Sequence, residues 1–411
     1  MIARLRAGLP DDYYRYWVAS VTSNLGDGVR FTAIPVLTAA ITRDPLAVAV
    51  VSAAGWRPWL LVALPAGVLV DRVDRVRLMT LLQVVRFAIA SALTLSLLLG
   101  IRSLGVLAAA VFVLGMCEVV FDSAAPTLVP AFVAGALLPR ANARLFAGEM
   151  AANEFVGPPL GGLLFGLAAP LPFVLDAASF GAGALLLRRL RGTSVGAAGG
   201  EWSPRAMAGD LGAGLAWLWR DRLVGTLSAA TVGLNLSRAM TLTIFVLFAL
   251  RVLRLSAFGF GLLWTATAVG AVAGSWLIDR AQWHQGYLTL VAALVAIGGS
   301  TLAVAFTDRA LVVALATAAL GFATMVWNVT TMSIQQRVVP DRLLGRVTSV
   351  WRFLTWGSLP VGSALGGVIA QAFGLSAPFL AGGVLILAMA VPFALVLSTA
   401  PVRQALGPVS P

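Results

Sequence analysis

Long apolar runs, interrupted only by short polar segments, repeat along almost the whole chain. Each run reaches about 20 residues, the length that a helix needs to cross the hydrocarbon core of a bilayer. Inside lipid the backbone polar groups must bond within their own segment, so such runs predict helices. The pattern predicts twelve membrane-spanning helices, at residues 14–40, 46–70, 78–100, 104–131, 143–168, 171–188, 223–250, 257–278, 287–306, 310–333, 345–372 and 376–398.

One polar stretch is longer than the others and divides these spans six and six. We therefore predict an N-terminal six-helix bundle at 1–190, a cytoplasmic linker at 191–222 and a C-terminal six-helix bundle at 223–411. Apolar residues in the linker recur at helical spacing, which predicts an amphipathic helix on the membrane surface; a plain connecting segment is the alternative. These residues are Leu211, Leu215, Leu218 and Trp219.

The two predicted halves repeat in sequence. AGVLVDRVDR at 66–75 has an echo in AGSWLIDR at 273–280, and LLPRAN…GPPLGGLL at 137–164 has one in LLGR…LPVGSALGGVI at 343–369. The offset is about half the chain. Internal duplication of a helical bundle is typical of transporters in which two bundles move about a central substrate site.

Composition places the surface of the chain in lipid rather than in water. Hydrophobic residues make up 59% and charged residues only 11%, whereas soluble domains have about 25% charged residues. The net charge of +12 comes from arginines between the apolar runs, a pattern that predicts membrane topology rather than nucleic-acid binding. Arginine is concentrated in alternate loops, so we expect a multi-pass plasma-membrane protein with both termini cytoplasmic. The single Cys117 lies in an apolar run and forms no disulfide.

A charged motif, GVLVDRVDRVR at 67–77, ends the second predicted span. Gly67, Asp71, Arg72 and Arg75 match the pattern G-x-x-x-D-R-x-G-R-R/K, and Asp74 stands where a glycine is usual. In this motif the chain resembles the major facilitator superfamily, and the resemblance covers essentially the whole chain. It implies an all-α membrane fold of two six-helix bundles with a pseudo-two-fold repeat, and transport by alternating access.

The same motif suggests a conformational latch. A carboxylate at the end of helix 2, here Asp71, is stabilised by about 0.3–1 kcal/mol at the partially positive N-terminus of predicted helix 11. The contact forms only when the cytoplasmic side is closed, so it favours one conformer. Arg75 is then expected to pair with Asp122 in helix 4, with Gly67 and Arg72 completing the latch. A loop that only sets topology is the alternative.

A Gly-Pro motif, GPPLGG, lies in the fifth predicted span. Its glycines allow close backbone approach, and its prolines remove two backbone donors. EFVGPPLGGLL at 154–164 is similar to a motif of drug/proton antiporters, while residues 23–37 and 137–142 look like siderophore and macrolide exporters. The resemblance implies export; ordinary helix packing is the alternative. The motif residues are Gly157, Pro158, Gly161 and Gly162.

Ionisable residues inside a bilayer are costly and indicate function by default. The acids of the predicted spans all lie in the first half: Asp27, Glu118, Asp122, Glu149, Glu154 and Asp176. A proton-coupled transporter needs a carboxyl that changes protonation between states. Counting depth at 1.5 Å per residue places Glu154 at the midplane, so Glu154 is our first candidate for proton coupling and Asp27 the second, followed by Glu149 and Glu118.

Arginines complete the predicted charge pattern. Arg57, midway along helix 2, is expected to pair with Asp27, and Asp176 is expected close to the outer surface. The alternative for every acid is a structural ion pair.

A substrate cavity is predicted from polar and aromatic residues that the spans direct inward. An apolar cavity with a few polar groups suits bulky amphiphilic molecules, although aromatic side chains also serve packing and membrane interfaces. Arginines that face this cavity would suit an anionic substrate such as a siderophore. The candidates are Asn24, Arg30, Arg57, Asn235, Arg238, Asn328, Arg352 and Trp356, together with Trp264 and Trp327.

These patterns predict a monomeric, proton-coupled exporter of hydrophobic or amphiphilic small molecules. A siderophore or other narrow-substrate exporter is the alternative, followed by an importer, a lipid scramblase or a non-transporting membrane receptor. An enzyme is not expected, because the only histidine, His284, lies in a loop and neither an HExxH motif nor a phosphate loop is present. No cofactor and no metal ion is predicted.

Overall fold

The computed structural model is entirely helical in its described secondary structure. It describes residues 9–190, 212, 215–218, 220–281, 287–339 and 341–399. Side-chain placements are not described for some residues within these helices.

Residues 9–190 fold into seven α-helices, and two short irregular segments flank the fifth of them. These elements are α1 (Asp11–Ile41), α2 (Pro45–Arg72), α3 (Arg75–Leu98), α4 (Leu104–Phe132), a 3₁₀ turn (Gly135–Leu137), α5 (Leu138–Met150), a π-helical segment (Ala151–Val156), α6 (Gly157–Leu167) and α7 (Leu171–Leu187).

Residues 220–281, 287–339 and 341–399 fold into six long helices. They are α8 (Arg222–Arg251), α9 (Ala257–Ala281), α10 (Tyr287–Ala305), α11 (Ala310–Val338), α12 (Asp341–Phe373) and α13 (Ala377–Leu397).

Several helices begin at side chains that cap them. Asp74 accepts a hydrogen bond from the backbone N–H of Arg77 at 2.8 Å and starts α3. Asp221 caps α8 in the same way through the N–H of Val224, also at 2.8 Å. Such caps bond one of the free N–H groups of a first helical turn, which fixes where these helices start.

Each predicted span coincides with helical structure. The length and composition of the helices, however, support fewer membrane spans than the twelve predicted. Nine helices in the described part of the chain are long and apolar enough to cross a membrane: α2 to α4 and α8 to α13. The other three predicted spans fall on the charged α1, on α5 with α6, and on α7, which is apolar but has 17 residues. The count of twelve stays a prediction.

The chain divides into two compact units. The first consists of Met1–Thr42, Ala54–Gly200 and Ser256–Leu262, and the second of Arg43–Ala53, Glu201–Leu255 and Leu263–Pro411. The sequence did not predict that Arg43–Ala53 belongs to the second unit or that Ser256–Leu262 belongs to the first. The division at the linker stays a prediction.

Each unit has its own apolar core. In the first, Tyr13, Tyr16 and Met79 are fully buried, and the Tyr13 hydroxyl donates to the carbonyl oxygen of Ala141 at 2.7 Å. In the second, Trp327 is 1% exposed, and its ring lies 5.5 Å from that of Phe393. The prediction that Trp327 lines the substrate cavity is therefore wrong, because this large side chain fills the core of its own unit.

The described end of the linker belongs to the second unit and packs inside it. Residues 215–218 are helical, and Leu218 is buried in a cluster with Val224, Val347 and Val350. Leu211 and Trp219 lie outside the described residues. The amphipathic surface helix stays a prediction.

Candidate functional site

Five charged side chains from four helices meet inside the first unit, and we call them the ion cluster. Three are carboxylates and two are guanidinium groups. They are Asp27 and Arg30 of α1, Arg86 of α3, Glu118 of α4 and Asp176 of α7.

Asp27 lies between the two guanidinium groups. Its Oδ1 accepts a hydrogen bond from Nη2 of Arg30 and another from Nη2 of Arg86, both at 2.5 Å. Charge-assisted bonds of this kind are the stronger class in proteins. Arg57 is exposed on α2, so the prediction that it pairs with Asp27 is wrong.

Arg86 is held rigidly in this arrangement. Its side chain is 1% exposed, and its guanidinium carbon lies 4.1 Å from the ring centre of Phe180 and 5.7 Å from that of Phe121. Cations over aromatic faces at such distances are attracted by the ring quadrupole. Arg86 therefore acts as a fixed positive charge beside Asp27.

Arg30 bridges all three carboxylates. Besides Asp27, its Nη2 donates to Oε2 of Glu118 at 3.1 Å, and its Nε lies 3.3 Å from Oδ2 of Asp176. The Glu118 side chain is 34% exposed, whereas that of Asp176 is 0% exposed. The cluster thus has an open side at Glu118 and a closed side at Asp176. Arg30 belongs to this cluster, and its predicted place in a substrate cavity stays a prediction.

Glycines of α1 bring its backbone against the neighbouring helices and so set the position of the cluster. A Cβ on Gly26 would lie 2.8 Å from Oδ1 of Asp176, and one on Gly28 would lie 2.9 Å from the Cα of Asn153. At distances below 3.0 Å a neighbouring atom must move before a side chain fits. Asp27, between these glycines, is therefore held at a tightly packed crossing of helices.

A polar path continues from the cluster toward the start of α1. Gln83 Nε2 donates to Oγ of Ser23 at 3.0 Å, and Asn24 Nδ2 donates to the carbonyl of Ser20 at 3.0 Å. Ser20 Oγ in turn donates to Oε1 of Glu149 at 2.5 Å. Glu149, predicted for proton coupling, is thus partly buried and bonded to α1, while Asn24 bonds within its own helix.

The ion pairs of the cluster given above do not include Glu154, the first candidate from the sequence. Glu154 is exposed and belongs to the π-helical segment Ala151–Val156. Such segments occur frequently at functional sites. Asp122 is also exposed, one turn after Glu118 on α4, and its predicted pairing with Arg75 stays a prediction.

The Gly-Pro motif packs its backbone on two other segments. A Cβ on Gly161 would lie 3.0 Å from the Cα of Val29 and collide with the Val29 carbonyl oxygen. One on Gly162 would lie 2.8 Å from the Cα of Phe258, a residue of the first unit. Gly157 and Pro158 are buried as well. This geometry accounts for the small residues through packing; a role in antiport stays a prediction.

The latch residues are only partly described. The backbone of Gly67 and Asp71 belongs to α2, but the surroundings of Gly67 and the side chain of Asp71 are not described, nor are the side chains of 341–346 at the start of α12. Arg72 is exposed and Arg75 is half-buried. The latch stays a prediction.

The cavity candidates of the second unit have mixed environments. Asn235 Nδ2 donates to the carbonyl oxygen of Thr355 at 3.1 Å and joins α8 to α12. Arg238 and Asn328 are exposed, while Trp264 and Trp356 are half-buried. The side chain of Arg352 lies outside the described residues.

Two members of the ion cluster received no role from the sequence. Asp176 and Arg86 lie in different helices and are far apart in the chain, so no local spacing connects them. The sequence signal for both was the free-energy cost of a charged side chain inside an apolar helix, because such a side chain needs a group of opposite charge beside it. No group of three or more possible metal ligands occurs in the searched, described residues.

Comparisons with known proteins agree on one kind of molecule. A family model described as transmembrane secretion effector, MFS_3, matches residues 7–406. The multidrug efflux pump Tap of Mycolicibacterium fortuitum is 26% identical over 377 residues, which cover 88% of this chain and 90% of that protein.

Solved structures share the fold at low identity. The nucleoside transporter NupG superposes with a TM-score of 0.73 at 13% identity, covering 95% of this chain and 100% of that one. A bacterial homologue of the human lysosomal transporter Spinster, in an inward-facing state, gives a TM-score of 0.69 at 13% identity, with coverage of 97% and 98%.

Proposed function

Because the chain belongs to the MFS_3 family of transmembrane secretion effectors, within the major facilitator superfamily, we propose that it exports hydrophobic or amphiphilic small molecules in exchange for protons. Family membership confirms the resemblance drawn from residues 67–77 and 154–164. It also confirms that the chain is a multi-pass membrane transporter of small molecules and not an enzyme.

The ion cluster is the observation that carries the proposal of proton coupling. Buried charges reduce stability unless they are paired, and ionisable groups inside membrane helices commonly serve proton relays. The cluster holds three carboxylates around two arginines. A change in the protonation of one carboxylate would redistribute the ion pairs among four helices, which is a means of coupling proton binding to helix movement.

Two observations support export. Over most of its length the chain is similar to a multidrug efflux pump, and it carries the GPPLGG motif on α6. We propose further that both termini are cytoplasmic, that twelve helices span the plasma membrane and that the transporter acts as a monomer. Transport would then proceed by alternating access.

We expect Asp27→Asn to remove proton-coupled export and Glu154→Gln to reduce it less. Asp27 receives hydrogen bonds from both guanidinium groups, so its loss removes a partner from each of them, whereas Glu154 is not one of the five residues of the cluster. The assay uses proteoliposomes with an acidic lumen that contains pyranine and measures the lumenal alkalinisation caused by external ethidium. The rate should fall at least about tenfold in Asp27→Asn, equivalent to about 1.4 kcal/mol in barrier height.

The controls separate coupling from transport. Wild-type vesicles without a pH gradient should equilibrate ethidium without concentrating it. If wild-type protein concentrated ethidium with no movement of protons, proton coupling would be wrong. If Glu154→Gln lost activity and Asp27→Asn kept it, the exposed acid would be the coupling residue.

For the latch we expect Asp71→Asn to slow export while the amount of protein in the membrane stays unchanged. A carboxylate at a helix N-terminus contributes about 0.3–1 kcal/mol, and up to about 2 kcal/mol when partly buried, so the rate should fall between about twofold and thirtyfold. Asp74→Asn is the matched control, because asparagine caps α3 as well as aspartate does. Export at the wild-type rate in Asp71→Asn would refute the latch.

A further inference from the structure

Asp176 differs from the other acids of the ion cluster in its surroundings. It is 0% exposed, and neither of its carboxylate oxygens accepts a hydrogen bond from the residues that the structure describes. Ser179 Oγ, one turn along α7, donates to the backbone carbonyl of Asp176 rather than to its carboxylate. Burial disfavours a charged carboxylate that accepts no hydrogen bond more than it disfavours a neutral carboxylic acid.

The charges near Asp176 act in both directions, because the two arginines favour its ionised form and the two other carboxylates favour its neutral form. Facing it are Arg30 and Asp27 of α1, Arg86 of α3 and Glu118 of α4. With all three carboxylates ionised, the two arginines would leave the cluster with one uncompensated negative charge. One bound proton makes the cluster neutral, and Asp176 is the carboxylate with the fewest donors.

Arg30 links this buried acid to the open side of the cluster. Its Nη2 bonds Glu118 at 3.1 Å, while its Nε lies 3.3 Å from Asp176 and has no hydrogen-bond partner among the described residues. Glu118 is the most exposed member, and the exposed Asp122 follows one turn later on α4. An incoming cation therefore meets Glu118 first and competes there with Arg30.

We propose that Asp176 holds the exchangeable proton, and that an organic cation binding at Glu118 releases this proton by shifting Arg30 onto Asp176. The proposal rests on the proposed proton-coupled export and specifies its substrate class. Before binding, two carboxylates and two guanidinium groups balance, and Asp176 is neutral. Afterwards, three carboxylates balance two guanidinium groups and the bound cation. Only the O–H bond of Asp176 breaks, and the proton passes to water.

The test measures protons released per cation bound to the purified full-length chain in detergent. Tetraphenylphosphonium is the probe, because its positive charge is permanent and it carries no proton of its own. Binding is followed by calorimetry in two buffers that differ in ionisation enthalpy, and release by a pH-indicator dye in weak buffer. The wild type should release about one proton per bound cation, and Asp176→Asn should bind the cation with almost no release.

Asp122→Asn serves as the matched control. It removes a neighbouring exposed acid, so affinity should fall while each bound cation still releases one proton. Equal proton release by Asp176→Asn and by the wild type would overturn the role of Asp176 and leave proton-coupled export intact. A wild type that binds the cation without releasing protons, and that moves no protons in vesicles, would instead overturn the proposed function together with this inference.

A second measurement covers the case in which Asp176→Asn fails to fold. Infrared difference spectra of the wild type should lose the carbonyl stretch of a protonated carboxylic acid when the cation binds. If that band is unchanged although the cation binds, no buried carboxylic acid has released a proton, and the proposal is wrong.

Discussion

Replacing Arg86 by methionine should reduce the stability of the protein by about 3–5 kcal/mol and abolish transport, because it leaves a buried carboxylate with one partner fewer. Arg86 is 1% exposed, donates to Asp27 at 2.5 Å and lies against the ring of Phe180. Removing one partner of a buried pair usually costs more than the pair contributes. The measurement is the thermal unfolding temperature in detergent, together with ethidium export from vesicles.

A double variant separates stability from mechanism. Arg86→Met combined with Asp27→Asn removes both charges, so it should recover much of the lost stability. Export should stay lost, since the proposed coupling needs Asp27. If the double variant were as unstable as Arg86→Met alone, packing of the long side chain rather than charge would account for the loss. If Arg86→Met exported ethidium at the wild-type rate, the ion cluster would not serve transport.

Hydropathy predicted the positions of the helices well, because lipid imposes a strong and simple condition on length and composition. The predicted spans at 104–131 and 376–398 coincide closely with α4 and α13. The condition is weaker for α1, whose charged residues are hidden by partners from other helices. A hydropathy average counts Asp27 and Arg30 as charged residues. It does not show that ion pairs with other helices stabilise these charges inside the protein.

The choice of Glu154 among the acids stays a prediction, but the depth count behind it left out one part of the geometry. Counting 1.5 Å per residue placed Glu154 at the midplane but said nothing about which side of the helix it faces. The π-helical segment Ala151–Val156 adds a residue to one turn, which rotates the later residues by roughly 100° relative to a regular helix. Depth along the helix alone therefore does not predict whether a side chain is buried, and Glu154 is exposed.

The sequence did not predict which charged residues of different helices form ion pairs. Asp27 and Arg86 are 59 residues apart, and Arg30 and Glu118 are 88 apart. Arg57, the nearer arginine in the next helix, was the simpler partner for Asp27, but it is exposed. Gly26 and Gly28 were the sequence signal for where α1 packs closely on other helices. At these glycines the backbone of α1 lies directly against Asp176 and Asn153.

Gly161→Ala should strongly destabilise the first unit, whereas Gly166→Ala in the same helix should not. A Cβ on Gly161 collides with the backbone carbonyl of Val29, while one on Gly166 meets nothing within 4 Å. Backbone cannot rotate away as a side chain can, so α1 and α6 must separate. We expect Gly161→Ala to cost about 1–3 kcal/mol or more, and Gly166→Ala to gain about 0.5–1 kcal/mol as alanine replaces glycine inside a helix.

The pair of variants also tests how the ion cluster is positioned. Val29 lies between Asp27 and Arg30 on α1, so displacing α1 from α6 should move both charged residues and lower export in Gly161→Ala beyond the loss explained by unfolded protein. The measurement is the ethidium export rate per folded transporter, with the folded fraction taken from size-exclusion chromatography. If Gly161→Ala were as stable and as active as Gly166→Ala, the α1–α6 contact would be loose, and packing of α1 on α6 could not position Asp27 and Arg30.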